Sequence, residues 1–216
     1  MRRSQPTVMI LAQTKLRATT HGPRTGSSMA LTFDDGPGAV TGDILEVLAA
    51  HRVRATFNVL GERVAGREPV LRRVASAGHE LGVHGWTHRD HRRRPLLSAR
   101  GVASTVRALG AACGARPCLF RPPFGLTSLR LEAAVALRGL QTVLWDVDPR
   151  DFEEPGSVAI CDRTLAAVRP GSIVLLHDDR PELAATADAL DRILPELAHR
   201  GLHATTVSEL LGLRDR

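Results

Sequence analysis

Leu31-Thr32-Phe33-Asp34-Asp35-Gly36-Pro37 is the stretch on which the reading of this chain turns. The apolar run from Met29 to Phe33 has the composition of a buried β-strand, and it stops at two adjacent carboxylates and a Gly-Pro turn. Charges at the end of a buried strand are costly unless something compensates them. Asp, Gly and Pro are ordinary turn residues, so a plain turn is one reading. A metal ion or acid–base chemistry is the other. The rest of the chain supplies the partners that decide between them.

Outward from that strand, β-rich segments alternate with stretches of helical apolar spacing. The pattern predicts strands at 29–33, 54–60, 80–83, 118–121, 141–147, 172–176 and 204–207. It predicts helices at 41–51, 62–77 (in two pieces around Pro69), 97–112, 127–138, 157–169 and 182–200. Such alternation implies an α/β fold with a parallel sheet covered by helices. Because the polar clusters all follow strands, a distorted (β/α) barrel of about seven parallel strands suits the sequence best. An open doubly wound sheet is the alternative, although no Gly-rich phosphate loop follows the first strand.

A chain of 216 residues, 43% hydrophobic, has material for one sizeable core. Residues 1–27 carry no periodicity and read as a poorly ordered leader, leaving 28–212 as the folded domain. No apolar run reaches the ~20 residues of a transmembrane helix. Val8 to Ala12 is too short for the core of a secretory signal, so this sequence by itself points to the cytoplasm. The net charge of +6 comes almost wholly from arginine, Lys15 being the single lysine. The arginines are scattered and no base-reading motif accompanies them, which argues against a specific nucleic-acid partner. The dense run from Arg89 to Arg94 reads either as a solvated face or as an electrostatic contact with an anionic cell-wall polymer. Cys113, Cys118 and Cys161 lack the close pairing of a zinc ribbon and read as free thiols, with a Cys113–Cys118 bridge as the alternative.

The polar residues at the strand ends carry the chemistry. Strand one ends in Asp34-Asp35, the third in His84-Gly85-Trp86-Thr87-His88, and the fourth in Arg121-Pro122-Pro123-Phe124-Gly125. The fifth leads into Trp145-Asp146-Val147-Asp148-Pro149-Arg150-Asp151-Phe152, and the sixth into His177-Asp178-Asp179. Two histidines four apart, joined by a carboxylate, form a three-ligand set that leaves a position open, as in catalytic zinc sites. His91 is a decoy close to that pair, and His21, His51, His79, His199 and His203 read as surface or structural. Arg121, held by a proline-stiffened loop, suits the clamping of a carboxylate. His177 at the last position of the most apolar strand is a proton-transfer candidate.

In order and spelling, the TFDDGP stretch, the H-x-x-x-H, the RPPFG loop, the D-x-x-D-aromatic segment and the LLHD strand end resemble the five motifs of the polysaccharide deacetylase (NodB-homology carbohydrate esterase) family. The resemblance implies a distorted (β/α) barrel and metal-dependent removal of acetyl groups from N- or O-acetylated sugars. It implies Asp35, His84 and His88 as ligands of a divalent ion, usually zinc. It further implies Asp34 as general base, Arg121 orienting it, His177 as general acid with Asp151 behind it, and the Phe124 backbone N–H facing the oxyanion. By resemblance the location would be the cell envelope or outside the cell. Three positions depart from the family's pattern: Gly85 where Ser or Thr is frequent, Phe124 where Tyr is usual, and Phe152 where Trp is common. Deacetylation of a small N- or O-acetylated metabolite is the alternative activity, and a non-catalytic glycan-binding module is the alternative class.

Overall fold

The computed structural model describes residues 18–213, and its strands fall on the predicted segments. They are β1 Ser28–Asp34, β2 Thr56–Val59, β3 Glu80–Val83, β4 Leu119–Phe120, β5 Gln141–Thr142, β6 Ile173–His177 and β7 His203–Thr205. All pairings are parallel, in the order β5-β4-β3-β2-β1-β6, with β7 also on β1. β1 bonds β6 along 30–34, and its other edge is shared between β7 at 28–30 and β2 at 32–34. A strand covered on both edges and both faces cannot alternate polar with apolar, which explains its unbroken apolar run.

The helices are α1 Thr41–Ala50, α2 Glu68–Ser76, α3 Pro95–Cys113, α4 Leu129–Ala136, α5 Ser157–Ala167, α6 Ala184–His199 and α7 Val207–Leu211. Met29, Leu31 and Phe33 point outward into the core that the helices cover, where Ile44, Leu71, Val102 and Leu190 join them. The intervening residues of β1 point into the barrel, where Ala30 meets Leu119, Val143 and Ile173. The same parity places Asp34, Asn58, His84, Arg121 and His177 at the inner rim, all at or just past the carboxyl ends of their strands.

Three expectations are corrected. The predicted strand 141–147 shrinks to Gln141–Thr142, because Thr19 inserts beside it, donating to the Thr142 carbonyl at 3.0 Å and accepting from Leu144 N at 2.7 Å. Further on, Val147 bridges to Val174 of β6, and the Asp146 carboxylate accepts from Ile173 N at 2.7 Å, so a loop rather than a ladder closes the barrel. The predicted strand 204–207 stops at Thr205, since Thr206 caps α7 in a capping box with Glu209. The predicted leader 1–27 extends too far: Thr19 pairs as above, Gly22 N donates to the Gly171 carbonyl at 2.7 Å, and Arg24 pairs with Asp146 at 2.6 Å. Residues 1–17 of that leader lie outside the described residues. Among the described residues no helix is long and apolar enough to cross a membrane, and no disulfide joins Cys113, Cys118 or Cys161.

Candidate active site

Asp34 stands at the end of β1, buried, and two donors converge on one of its oxygens. Asn58 of β2 and Arg121 of the β4 loop reach Oδ1 at 2.7 and 2.9 Å. Oδ2 carries neither bond and lies 3.9 Å from His84 Nδ1. Arg121 is itself buried and fully tied down, donating also to the Thr32 hydroxyl at 2.6 Å and to the Leu144 carbonyl at 3.0 Å. Burial alone would raise the Asp34 pKa, but Arg121 first, then His84, His177 and Asn58, hold it below the usual carboxylate range. The clamp expected of Arg121 is present, and its object is Asp34.

One residue further, Asp35 adopts φ of 73°, a left-handed conformation that Asp tolerates better than most. Its Oδ1 lies 3.4 Å from His84 Nε2 and 3.5 Å from His88 Nε2. That oxygen is buried without a hydrogen-bond donor, which is a costly state for a carboxylate unless a cation joins it. Ligand atoms from Asp35, His84 and His88 all lie within 4.8 Å of one another. Burial pushes His84 toward its neutral form against the pull of Asp34 and Asp35, so the ring keeps a lone pair to offer. The donor set, two imidazoles and one carboxylate, fits a divalent ion such as zinc.

Opposite, Asp151 locks His177 in place. Its Oδ1 bonds His177 Nδ1 at 2.8 Å, while its Oδ2 accepts from His177 N at 2.8 Å and from the Thr186 hydroxyl at 3.0 Å. Nε2 is therefore the nitrogen left for the cleft. Burial works against the imidazolium, but the hydrogen bond and charge of Asp151, with Asp34 and Asp35 behind, raise the His177 pKa to about 9.

Asp34, Asp35, His84, His88 and His177 line one cleft of about 520 Å³ together with Phe124, Trp145, Phe152 and Leu175. Phe124 sets its ring edge-on to His88 and Phe152 sets its ring edge-on to His177. The chain has only seven aromatics. Phe33, Phe57 and Phe120 are core residues, and the other four gather at this cleft or beside it. A scarcity of aromatics in the composition therefore does not leave the cleft bare.

Other supporting residues carry no individual signal in the sequence. Asp178 is buried, bonded by the Thr41 hydroxyl at 2.6 Å, and pressed so closely on Gly36 that a Cβ there would overlap its carboxylate. Burial raises its pKa to about 7. His91 lies behind the His84–His88 loop: its Nε2 would be 2.6 Å from a Cβ on Gly85 and has no hydrogen-bond partner. The imidazole thus fills the space that the missing side chain of Gly85 leaves, and it is no part of the ligand set. Asn58 was missed too, although a polar residue inside an apolar strand was a signal that could have found it. His79 is structural as expected, with Nδ1 accepting from Ala55 N at 3.1 Å and its pKa lowered to about 4 by burial.

The comparisons with known proteins agree with this geometry. A family model described as polysaccharide deacetylase matches residues 21–143. A chitooligosaccharide deacetylase of Sinorhizobium fredii (strain NBRC 101917 / NGR234) is 44% identical over 201 residues, covering 83% of this chain and 91% of the relative. The crystal structure of the peptidoglycan N-acetylglucosamine deacetylase Bc1960 superposes with a TM-score of 0.86 at 30% identity, covering 91% of this chain and 94% of that one. BA3943 of Bacillus anthracis, described as a pseudoenzyme, superposes with a TM-score of 0.85 at 25% identity, covering 92% of this chain and 70% of that one. Motif order, barrel topology and these matches agree: the chain belongs to the polysaccharide deacetylase family.

Proposed function

We propose that this chain is a metal-dependent hydrolase that removes the acetyl group from N-acetylated sugars, releasing acetate and leaving the free amine. One observation carries the reading: a base held ionised by Arg121, a histidine held protonated by Asp151 and a three-ligand cation site share one cleft. Asp35, His84 and His88 would hold the ion, which we assign as zinc from the donor set. When bound, such an ion lowers the pKa of water and polarises the acetyl carbonyl.

The residues of the chain do the rest. Asp34 takes the proton of the attacking water on Oδ2, the oxygen that Arg121 and Asn58 leave open. Arg121 and Thr32 keep that carboxylate from turning away. As the water oxygen bonds to the acetyl carbon, the carbonyl oxygen gains charge, and the Phe124 backbone N–H is the donor we assign to it. The C–N bond then breaks as His177 Nε2 gives its proton to the sugar nitrogen, since an unprotonated amine leaves poorly. Leu175 and the three aromatics offer an apolar wall to the acetyl methyl and the sugar face.

Fold alone does not carry activity, as the Bacillus anthracis pseudoenzyme illustrates. Here Asp34, Arg121, Asp151 and His177 are all present and all in contact with their expected partners. The 44% identity to a chitooligosaccharide deacetylase favours N-acetylglucosamine oligomers as substrate. The test is an acetate-release assay of zinc-loaded protein on those oligomers, on O-acetylated sugars and on small N-acetyl metabolites. Turnover of the oligomers is expected; acetate from the small metabolites alone would replace this reading with the metabolite one.

A further inference from the structure

A second concavity lies across the His84–His88 loop from the cleft, and arginine dominates its lining. This groove of about 780 Å³ between the 84–94 loop and the start of α3 is lined by Trp86, Arg89, Arg93, Arg94, Leu97 and Arg100, among others. The two hollows share a wall: His84 and His88 face the cleft, while Trp86 and Thr87 between them face the groove. Asp90 is the one acid of the groove wall, and Arg92 occupies it, donating from Nε at 3.0 Å and from NH2 at 2.9 Å. Among the described residues, no carboxylate lies within 4.0 Å of the guanidinium of Arg89, Arg93, Arg94 or Arg100. The cleft has a mixed lining, with Asp34, Asp35, Asp148 and Asp179 set against Arg180 and three histidines. Trp86 is fixed in place, since a Cβ on Gly61 would overlap its ring and one on Gly101 would come within 3.2 Å of it, yet it stays 40% exposed.

Four unneutralised guanidiniums around one hollow repel each other and attract an anion. We propose that the groove is a subsite for a carboxylate or phosphate carried on the same glycan whose acetamido sugar enters the cleft; the proposal rests on the deacetylase reading above. The arginines take the anion in the forked geometry that suits both groups, and Trp86 gives the bearing sugar ring a face. A concave wall with a fixed tryptophan suits a sugar chain better than a membrane surface.

The experiment compares equilibrium binding and acetate release of the zinc-loaded protein on three sets of N-acetylglucosamine oligomers of equal length. One set is neutral, one is oxidised to a carboxylate at the reducing end, and one is phosphorylated there. At low salt the anionic sets should bind about fivefold tighter than the neutral set, the carboxylate and phosphate arms showing which anion is preferred. The preference should shrink in about 0.5 M salt. It should fall to parity in the triple variant Arg93→Gln, Arg94→Gln, Arg100→Gln and persist in the matching Arg→Lys triple. Equal affinity for charged and neutral oligomers, or a preference that survives the Gln triple, overturns the proposal. So does arginine-dependent binding to phosphatidylglycerol vesicles without any preference among the oligomers. Because binding is read apart from turnover, charge-selective binding without acetate release would sink the deacetylase reading and leave the groove standing.

Discussion

Asp34 and His177 line the same cleft with opposite protonation settings. Arg121, His84 and Asn58 keep the first ionised despite burial, and Asp151 keeps the second charged despite burial. Replacing Asp34 by Asn keeps the shape and removes the proton acceptor, so kcat should fall about 10²- to 10⁴-fold while bound zinc, read by elemental analysis, stays at the wild-type level. The alkaline limb of the pH–rate profile should lie near the His177 pKa of about 9, and in Asp151→Asn it should move down toward the ordinary histidine value of about 6.5. The sign for stability follows the same shift. A histidine whose folded pKa is raised contributes stability that is complete below its unfolded value and lost as pH rises through about 9. Melting temperature should therefore decline over that window, less steeply in His177→Gln. The residues that converge on the cleft were legible because carboxylates and imidazoles at strand ends are expensive and so informative. Asp178 and His91 were not, because their roles depend on which glycine faces them across a loop.

Two turns hold the site, and in each a glycine is paired with a neighbour's side chain. Gly36 admits the Asp178 carboxylate behind the turn that presents Asp35. Gly36→Ala should cost about 1–3 kcal/mol by overpacking, measured by chemical denaturation, and weaken zinc affinity with it. Gly85 has φ of 103° and faces His91, so Gly85→Ser should destabilise the chain, read by chemical denaturation. Arg121→Ala leaves Asp34 buried and unpaired, a change of about 3–5 kcal/mol. At this scale periodicity recovered the strand and helix positions, because buried strands and amphipathic helices announce themselves locally. It missed the ends of two strands. Thr19 displaces the continuation of β5, and Thr206 prefers capping to pairing, and neither competition is visible within one segment.

Across the molecule, parallel register turns separate stretches of sequence into one inner rim. The alternation of inward and outward residues along β1, β2, β3 and β6 sends Asp34, Asn58, His84 and His177 to the same mouth, with Asp35 and His88 following in the loops. Barrel topology was readable from the alternation of elements, whereas its closure through Val147 and the arginine-lined groove beside the cleft depend on loops whose course no periodicity specifies. The central claim is that Asp35, His84 and His88 together hold one divalent ion on which acetate release depends. Its most direct test is a titration of zinc into chelator-stripped protein while acetate release from N-acetylglucosamine oligomers is followed. Activity should rise linearly and level off at one zinc per chain, and His88→Ala should show no rise at the same concentrations. Undiminished activity in the stripped protein, or a full response in His88→Ala, would contradict the account.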